Sequence, residues 1–159
     1  MVVAITGGSG FVGRHLAREL SRRGREVRAL DVTRRDAPFP FGLGGVDGLE
    51  VVRADVLDRD GLVPALRGAA AVVHLAGLAS PARCRAEPLK AFRLNALGTA
   101  MVLDAAREAG VRRFFLASSR LVADQPGDPY AVSKAVAEQW TLLHSAEFAG
   151  GALAVRLAN

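Results

Sequence analysis

A chain of 159 residues, half of them hydrophobic, is long enough for one domain with a substantial core. Its net charge of +5 comes from arginine, but the arginines alternate with acids in "RHLAREL" and "DAAREAGVRR" and no aromatic ladder accompanies them, which argues against a nucleic-acid-binding surface. The longest apolar run, "GAAAVVHLAGLAS", is interrupted by His74 and is too short to cross a bilayer. "MVVAITGG" lacks the charged start of a secretion signal, and Cys84 is the only cysteine; together these features predict a cytoplasmic protein without an intrachain disulfide.

Along the chain, short apolar runs alternate with longer amphipathic stretches. Residues 2–6, 26–31, 49–55, 70–77, 112–119 and 152–158 read as strands, several of them nearly continuous in Val, Ile, Leu and Ala, as parallel strands covered on both faces require. Helical patterns occupy 11–23, 59–67, 88–109 and 129–148. Pro88 and Pro129 each follow an acid at a helix start, and Gly24 and Gly110 stand where left-handed caps are wanted. Pro64 is awkward inside the second helix. Residues 34–48, rich in Pro and Gly, read as a loop. Strand–helix alternation with mostly short joins predicts an α/β fold, a doubly wound parallel sheet of about six strands with helices on both faces, in a single domain over 1–159.

Gly7, Gly10 and Gly13 follow the first strand and open the first helix. Glycine is suited to this position because a pyrophosphate must approach backbone N–H groups at a helix start, where Cβ atoms would obstruct it. Phe11 and Val12 lie within the same loop. Asp31, closing the second strand, is placed to accept hydrogen bonds from the ribose hydroxyls of NAD and to repel the 2′-phosphate of NADP; Arg34 and Arg35 just beyond it are the feature that would favour NADP. Cys84, between two arginines in "RCR", has no histidine partner nearby and is read as a bystander.

These motifs together resemble the extended short-chain dehydrogenase/reductases, the NAD-dependent epimerase/dehydratase family. "TGGSGFVG" resembles the cofactor loop. "ADVLD" resembles the acidic turn in which Asp55 and Val56 flank the adenine. "VVHLAG" resembles the fourth-strand motif, where Leu75, Ala76 and Gly77 pass the nicotinamide-side ribose. The resemblance continues through "RLNALGTAMVLDAAREAGVRRFFLASS", with Asn95 at the family's asparagine, to "PYAVSKAVAEQ" and "AVRLAN". It implies a Rossmann domain that binds NAD and acts on a sugar, foremost a nucleotide-sugar, or a similar alcohol. No residue is assigned to a metal.

The same resemblance assigns Tyr130, Lys134 and Ser119 to catalysis. Positions i and i+4 share a helix face, so Tyr130 and Lys134 point the same way. A phenol with a pKa near 10 is a poor base at neutral pH; an ammonium nearby, together with the positive ring of oxidised cofactor, would favour phenolate. Lys134 would also hold the nicotinamide ribose, and Ser119 the substrate oxygen. Ser118 is the competing serine and a further cofactor contact.

Three departures from the family pattern stand out. Arg120 and Leu121 replace the acidic pair that family dehydratases use for water elimination. Val122–Asp124 replaces "VYG", within a short segment before Tyr130. The sequence ends at Asn159, before the C-terminal substrate-gripping portion of the family. Hence the alternative reading is a nucleotide-binding or partner-binding module without catalysis of its own. In this family, helices equivalent to 88–109 and 129–148 pair across a homodimer, and the same is expected here.

Overall fold

The computed structural model describes residues 1–32 and 48–158; Arg34, Arg35 and Asn159 lie outside the described residues. Six strands, β1 (Val2–Thr6), β2 (Glu26–Asp31), β3 (Leu49–Arg53), β4 (Ala69–His74), β5 (Arg113–Ser119) and β6 (Ala152–Leu157), form one parallel sheet in the order β3-β2-β1-β4-β5-β6. The chain runs outward from β1 to β3, returns across the sheet, and continues outward from β4 to β6. Strand order therefore reverses between β1 and β4, and a crevice opens at their carboxyl ends.

Helix α1 (Phe11–Arg22) covers one face of the sheet, packing Ala17, Leu16 and Leu20 on Val3, Ile5 and Val27. The opposite face carries α2 (Arg59–Leu66), α5 (Gly98–Glu108) and α7 (Pro129–Leu143), whose apolar sides meet Ala4, Val72, Phe114 and Leu116. The core is built mostly from Ala, Val and Leu around the fully buried Phe114, with the buried Phe148 ring packed against it. At the β6 margin the sheet exposes Leu153, Val155 and Leu157.

The expected 88–109 helix is interrupted internally. After α3 (Pro81–Ala86), α4 (Pro88–Phe92) passes through a π-helical turn at Arg93–Leu97 into α5. The wider turn places Asn95 inward at 1% exposure. The expected 129–148 helix ends at Leu143 and gives way to a 3₁₀ turn at Ser145–Glu147. Two short helices had no clear sequence signal: α3, capped by Ser80, and α6 (Leu121–Asp124). Pro64 does lie within α2. Its missing N–H would have faced exposed Asp60, and Asp58 caps the helix through the Gly61 N–H at 3.1 Å. Gly24 and Gly110 take the left-handed φ expected of them.

Candidate active site

The crevice at the β1/β4 reversal contains a cavity of about 420 Å³, within the usual range for a ligand pocket. Its walls include Gly7 and Gly10 from the β1–α1 loop, Phe11, Val12 and Gly13 from the first turn of α1, and Asp31 from β2. Asp55 and Val56 line it after β3, and Leu75, Ala76 and Gly77 after β4. All eleven of these positions were expected from the sequence. No side chain caps α1 and no acid occupies its first turn, so the amino end of that helix keeps its positive dipole toward the cavity.

Close contacts account for the glycine spacing. A Cβ on Gly13 would lie 2.4 Å from the Gly7 carbonyl oxygen and 2.8 Å from the Gly8 Cα. Gly13 thus lets α1 press against its own loop. Gly77 adopts φ 154°, and a Cβ there would meet the Asn95 Oδ1 at 2.5 Å. Asp31 serves the loop as well as the cavity: its Oδ2 accepts from the Ser9 N–H at 3.0 Å.

The hydroxyl-bearing residues gather beside this cavity, where β5 meets α7. Asp128 caps α7 by accepting from the Tyr130 N–H at 2.8 Å, and Arg85 of α3 holds the same carboxylate at 2.6 Å. Tyr130 enters from the first turn, 8% exposed, against Leu78, Cys84 and Ala91, with Leu94 packed on the same cluster. Leu94 also lines the cavity. The Ser119 hydroxyl lies close enough to the Tyr130 side chain to favour its charged form, and it accepts from the Leu121 N–H at 3.2 Å.

The electrostatics differ from expectation. Burial raises the Tyr130 pKa; the nearby Ser119 hydroxyl opposes this only in part, and Lys134 is not among the influences. Lys134, 6% exposed, donates from Nζ to the Ala117 carbonyl at 2.7 Å. Its own pKa falls to about 8 because desolvation outweighs the charge of Glu138. Desolvation also wins at Cys84: its thiol is pushed up despite the neighbouring arginines, and Sγ donates to the Leu78 carbonyl at 3.3 Å.

Ser118 and Ser119 point to different surroundings. Ser118 is 3% exposed and makes no hydrogen bond of normal geometry, yet it lies close enough to Glu138 to favour that carboxylate's charged form. Asn95 stands behind the cavity wall, accepting from the Leu78 N–H at 2.7 Å. Neither Ser118, Ser119, Asn95, Tyr130 nor Lys134 lines the cavity itself.

Sequence reasoning missed Thr6, Leu62 and Leu94 in the cavity wall. It also missed Glu138, buried on α7 and gripped by Arg156 of β6 at 2.9 and 2.7 Å. The i,i+4 spacing of Lys134 and Glu138 was the available signal for that carboxylate. Among the described residues no His/Cys/Asp/Glu group could hold a metal, and no helix is long and apolar enough to cross a membrane.

Comparison with known proteins agrees with this architecture. The model of the NAD dependent epimerase/dehydratase family matches residues 3–159. A UDP-glucose 4-epimerase of Klebsiella pneumoniae is 37% identical over 140 residues, 84% of this chain and 100% of that sequence. A ceramide reductase of Caulobacter vibrioides is 40% identical over 139 residues, 86% of this chain but 40% of its own. Among solved structures, MoeE5 in complex with UDP-glucuronic acid and NAD superposes with a TM-score of 0.85 at 30% identity, covering 98% of this chain and 54% of that one. The chain thus spans about half the length of that structural neighbour and less than half of the Caulobacter enzyme.

Proposed function

Because the chain belongs to the NAD-dependent epimerase/dehydratase family, we propose that it binds NAD in the β1/β4 crevice and oxidises an alcohol, or with reduced cofactor reduces the corresponding carbonyl, foremost on a nucleotide-sugar. The observation that carries this reading is the Tyr130–Ser119 hydroxyl pair, packed beside a small-residue cavity at the strand-order reversal. The cavity's chemistry suits the cofactor. The glycine loop and the amino end of α1 would receive the pyrophosphate, Asp31 the adenosine ribose, and Asp55 with Val56 the adenine. Leu75–Gly77 and Lys134 would take the nicotinamide ribose, while Asn95 and Ser118 support that side from behind it. When bound, NAD supplies the hydride acceptor and a positively charged ring.

The residues of this chain then manage one proton. With its pKa raised by burial, Tyr130 holds its proton at neutral pH, which suits it to protonate an alkoxide in the reducing direction. To accept a proton in the oxidising direction it needs a further positive charge close by. Ser119 would hold the substrate oxygen and the phenol at once, aligning donor and acceptor. Lys134, with its pKa near 8, is mostly charged at neutral pH, and its tie to Ala117 fixes the ammonium in place. Arg120 and Leu121 supply no acidic pair for water elimination, so epimerase or dehydrogenase chemistry is favoured over dehydratase chemistry.

The test joins calorimetry with NAD and NADP to a redox screen on nucleotide-sugars and lipid alcohols. Turnover that is lost in Tyr130→Phe, with NAD binding retained, supports the assignment. NAD binding without turnover on any alcohol would favour the non-catalytic module.

The proposal extends to assembly as a homodimer. Val132, Val136, Trp140 and Leu143 form an exposed apolar stripe along α7, and Leu89, Phe92 and Leu97 add to it from α4 and the π turn. Light scattering is expected to give twice the chain mass; a monomer at high concentration would refute the dimer.

A further inference from the structure

His74 is fully buried in the middle of the sheet, and the proposed chemistry does not use it. The β1/β4 register sets it beside Thr6, so the two side chains meet on one face. The Thr6 hydroxyl accepts from the Ala76 N–H at 3.3 Å, which leaves its proton for the His74 Nδ1 at 2.6 Å. On the other side, the Thr99 hydroxyl donates to the Asn95 carbonyl at 2.6 Å, which leaves its lone pair for the His74 Nε2–H at 3.0 Å. Both directions assign one neutral tautomer, with the proton on Nε2.

The path continues beyond Thr99. Asn95 exchanges two hydrogen bonds with the Leu78 backbone, accepting at 2.7 Å and donating at 3.2 Å. Its Nδ2 also donates to the Ser133 Oγ at 3.0 Å, and Ser133 donates to the Tyr130 carbonyl at 2.8 Å. One end of the path is the cavity wall at Thr6 and Ala76; the other is the backbone of the turn that presents the phenol. Phe114 lies tilted beside the His74 ring with centroids 6.0 Å apart, so the ring is held by packing on its face and by hydrogen bonds at both nitrogens.

We propose that His74 is a positioning residue that ties the cavity wall at Thr6 and Ala76 to the turn of α7 carrying Tyr130. The inference rests on the reading of the cavity as the NAD site. Desolvation, aided by the nearby Lys134 charge, lowers the His74 pKa to about 3, so the tie persists across the working pH range. The other titratable groups near the path are Tyr130 on α7 and Cys84 on α3, and both have pKa values raised by burial.

The test uses the 159-residue chain and three readouts: histidine ¹⁵N shifts, NAD calorimetry, and the ring resonance of Tyr130, the only tyrosine. In the wild type, His74 is expected as neutral Nε2–H at pH 6; an Nδ1–H or protonated ring would overturn the proposal. His74→Phe keeps a ring and removes both hydrogen bonds, whereas Thr99→Val keeps shape and cuts the path on one side. Each is expected to weaken NAD binding about fivefold and to move the Tyr130 resonance. His74→Gln, which retains a donor toward Thr99, is expected to recover part of both. If His74→Phe does not fold, Thr99→Val decides the matter. A lower melting temperature with unchanged NAD affinity and an unmoved Tyr130 resonance marks a merely structural role and overturns the proposal. If the wild type binds no NAD, the cavity reading falls, and the Tyr130 resonance in Thr99→Val still decides: an unmoved line overturns the inference, a shifted one supports it.

Discussion

The two sides of the crevice are built on opposite principles. On the β1 side the wall is mostly backbone: glycines bring main-chain atoms close together, and the critical property of Gly13 is the absence of a side chain. On the β5 side the site is made of side chains, with a phenol, two hydroxyls, an ammonium and a carboxylate buried between β5 and α7. The first side is sensitive to volume and the second to chemistry. A substitution that adds one methyl should damage the first and spare the second; one that removes a single oxygen should do the reverse.

The largest test of that contrast is Tyr130→Phe. It removes the phenol oxygen without changing shape, so turnover is expected to fall by about 10²–10⁴-fold while calorimetry finds NAD affinity within about twofold of wild type. A parallel loss of NAD binding would erase the distinction between the two sides. Gly13→Ala is the converse. With its new Cβ 2.4 Å from the Gly7 carbonyl, it is expected to weaken NAD binding more than about tenfold and to cost about 1–3 kcal/mol of stability by overpacking, read by calorimetry and denaturant melts.

The serine pair sharpens the comparison within one strand. Ser119→Ala should lower turnover by about 100-fold, as loss of one oriented hydrogen-bond donor does. Ser118→Ala, facing Glu138 rather than the phenol, should stay within about threefold. Equal losses measured in steady-state assays would place both hydroxyls in the same role.

The smallest effect is a titration. With only two lysines in the chain, ¹³C-labelled lysine NMR should resolve Lys134 with a midpoint of about 8. Its folded-state pKa lies below the unfolded value near 10.4, so the unfolded chain binds more protons between those pH values. This group therefore makes the fold more stable as pH rises through that window, and the burial penalty is fully present below it. A midpoint at the ordinary lysine value would mean that Lys134 is solvated rather than buried.

The backbone-built side was largely legible in the sequence, because glycine spacing and an acid at a strand end are local signals. Asp31 closes β2 and faces the cavity where expected. The side-chain-built side was legible only as residue identities. That Tyr130 and Lys134 share α7 followed from helical spacing. That burial would raise one pKa and lower the other depended on how much of β5, α3 and β4 surrounds them, which no local pattern records. The partnership of Thr6 with His74 needed the β1/β4 register across 68 residues. The grip of Arg156 on Glu138 needed β6 to lie beside α7. The helix expected over 88–109 was a correct reading of periodicity that overlooked the turn at Arg93–Leu97, because a π turn leaves hydrophobic spacing nearly intact while rotating the helix beyond it.

That turn works as an insertion carried inside a helix. Each residue of a regular α-helix advances about 100°, so removing one residue near Asn95 would let the turn close into ordinary helix and rotate everything on one side of it relative to the other. The amide that pins Leu78 and Ser133 would swing off its partners, although no hydrophobic position in the sequence would have been substituted. A family alignment that treats a gap at this point as neutral would therefore misjudge it: the length of this segment, as much as its composition, carries the information that joins the crevice to the phenol.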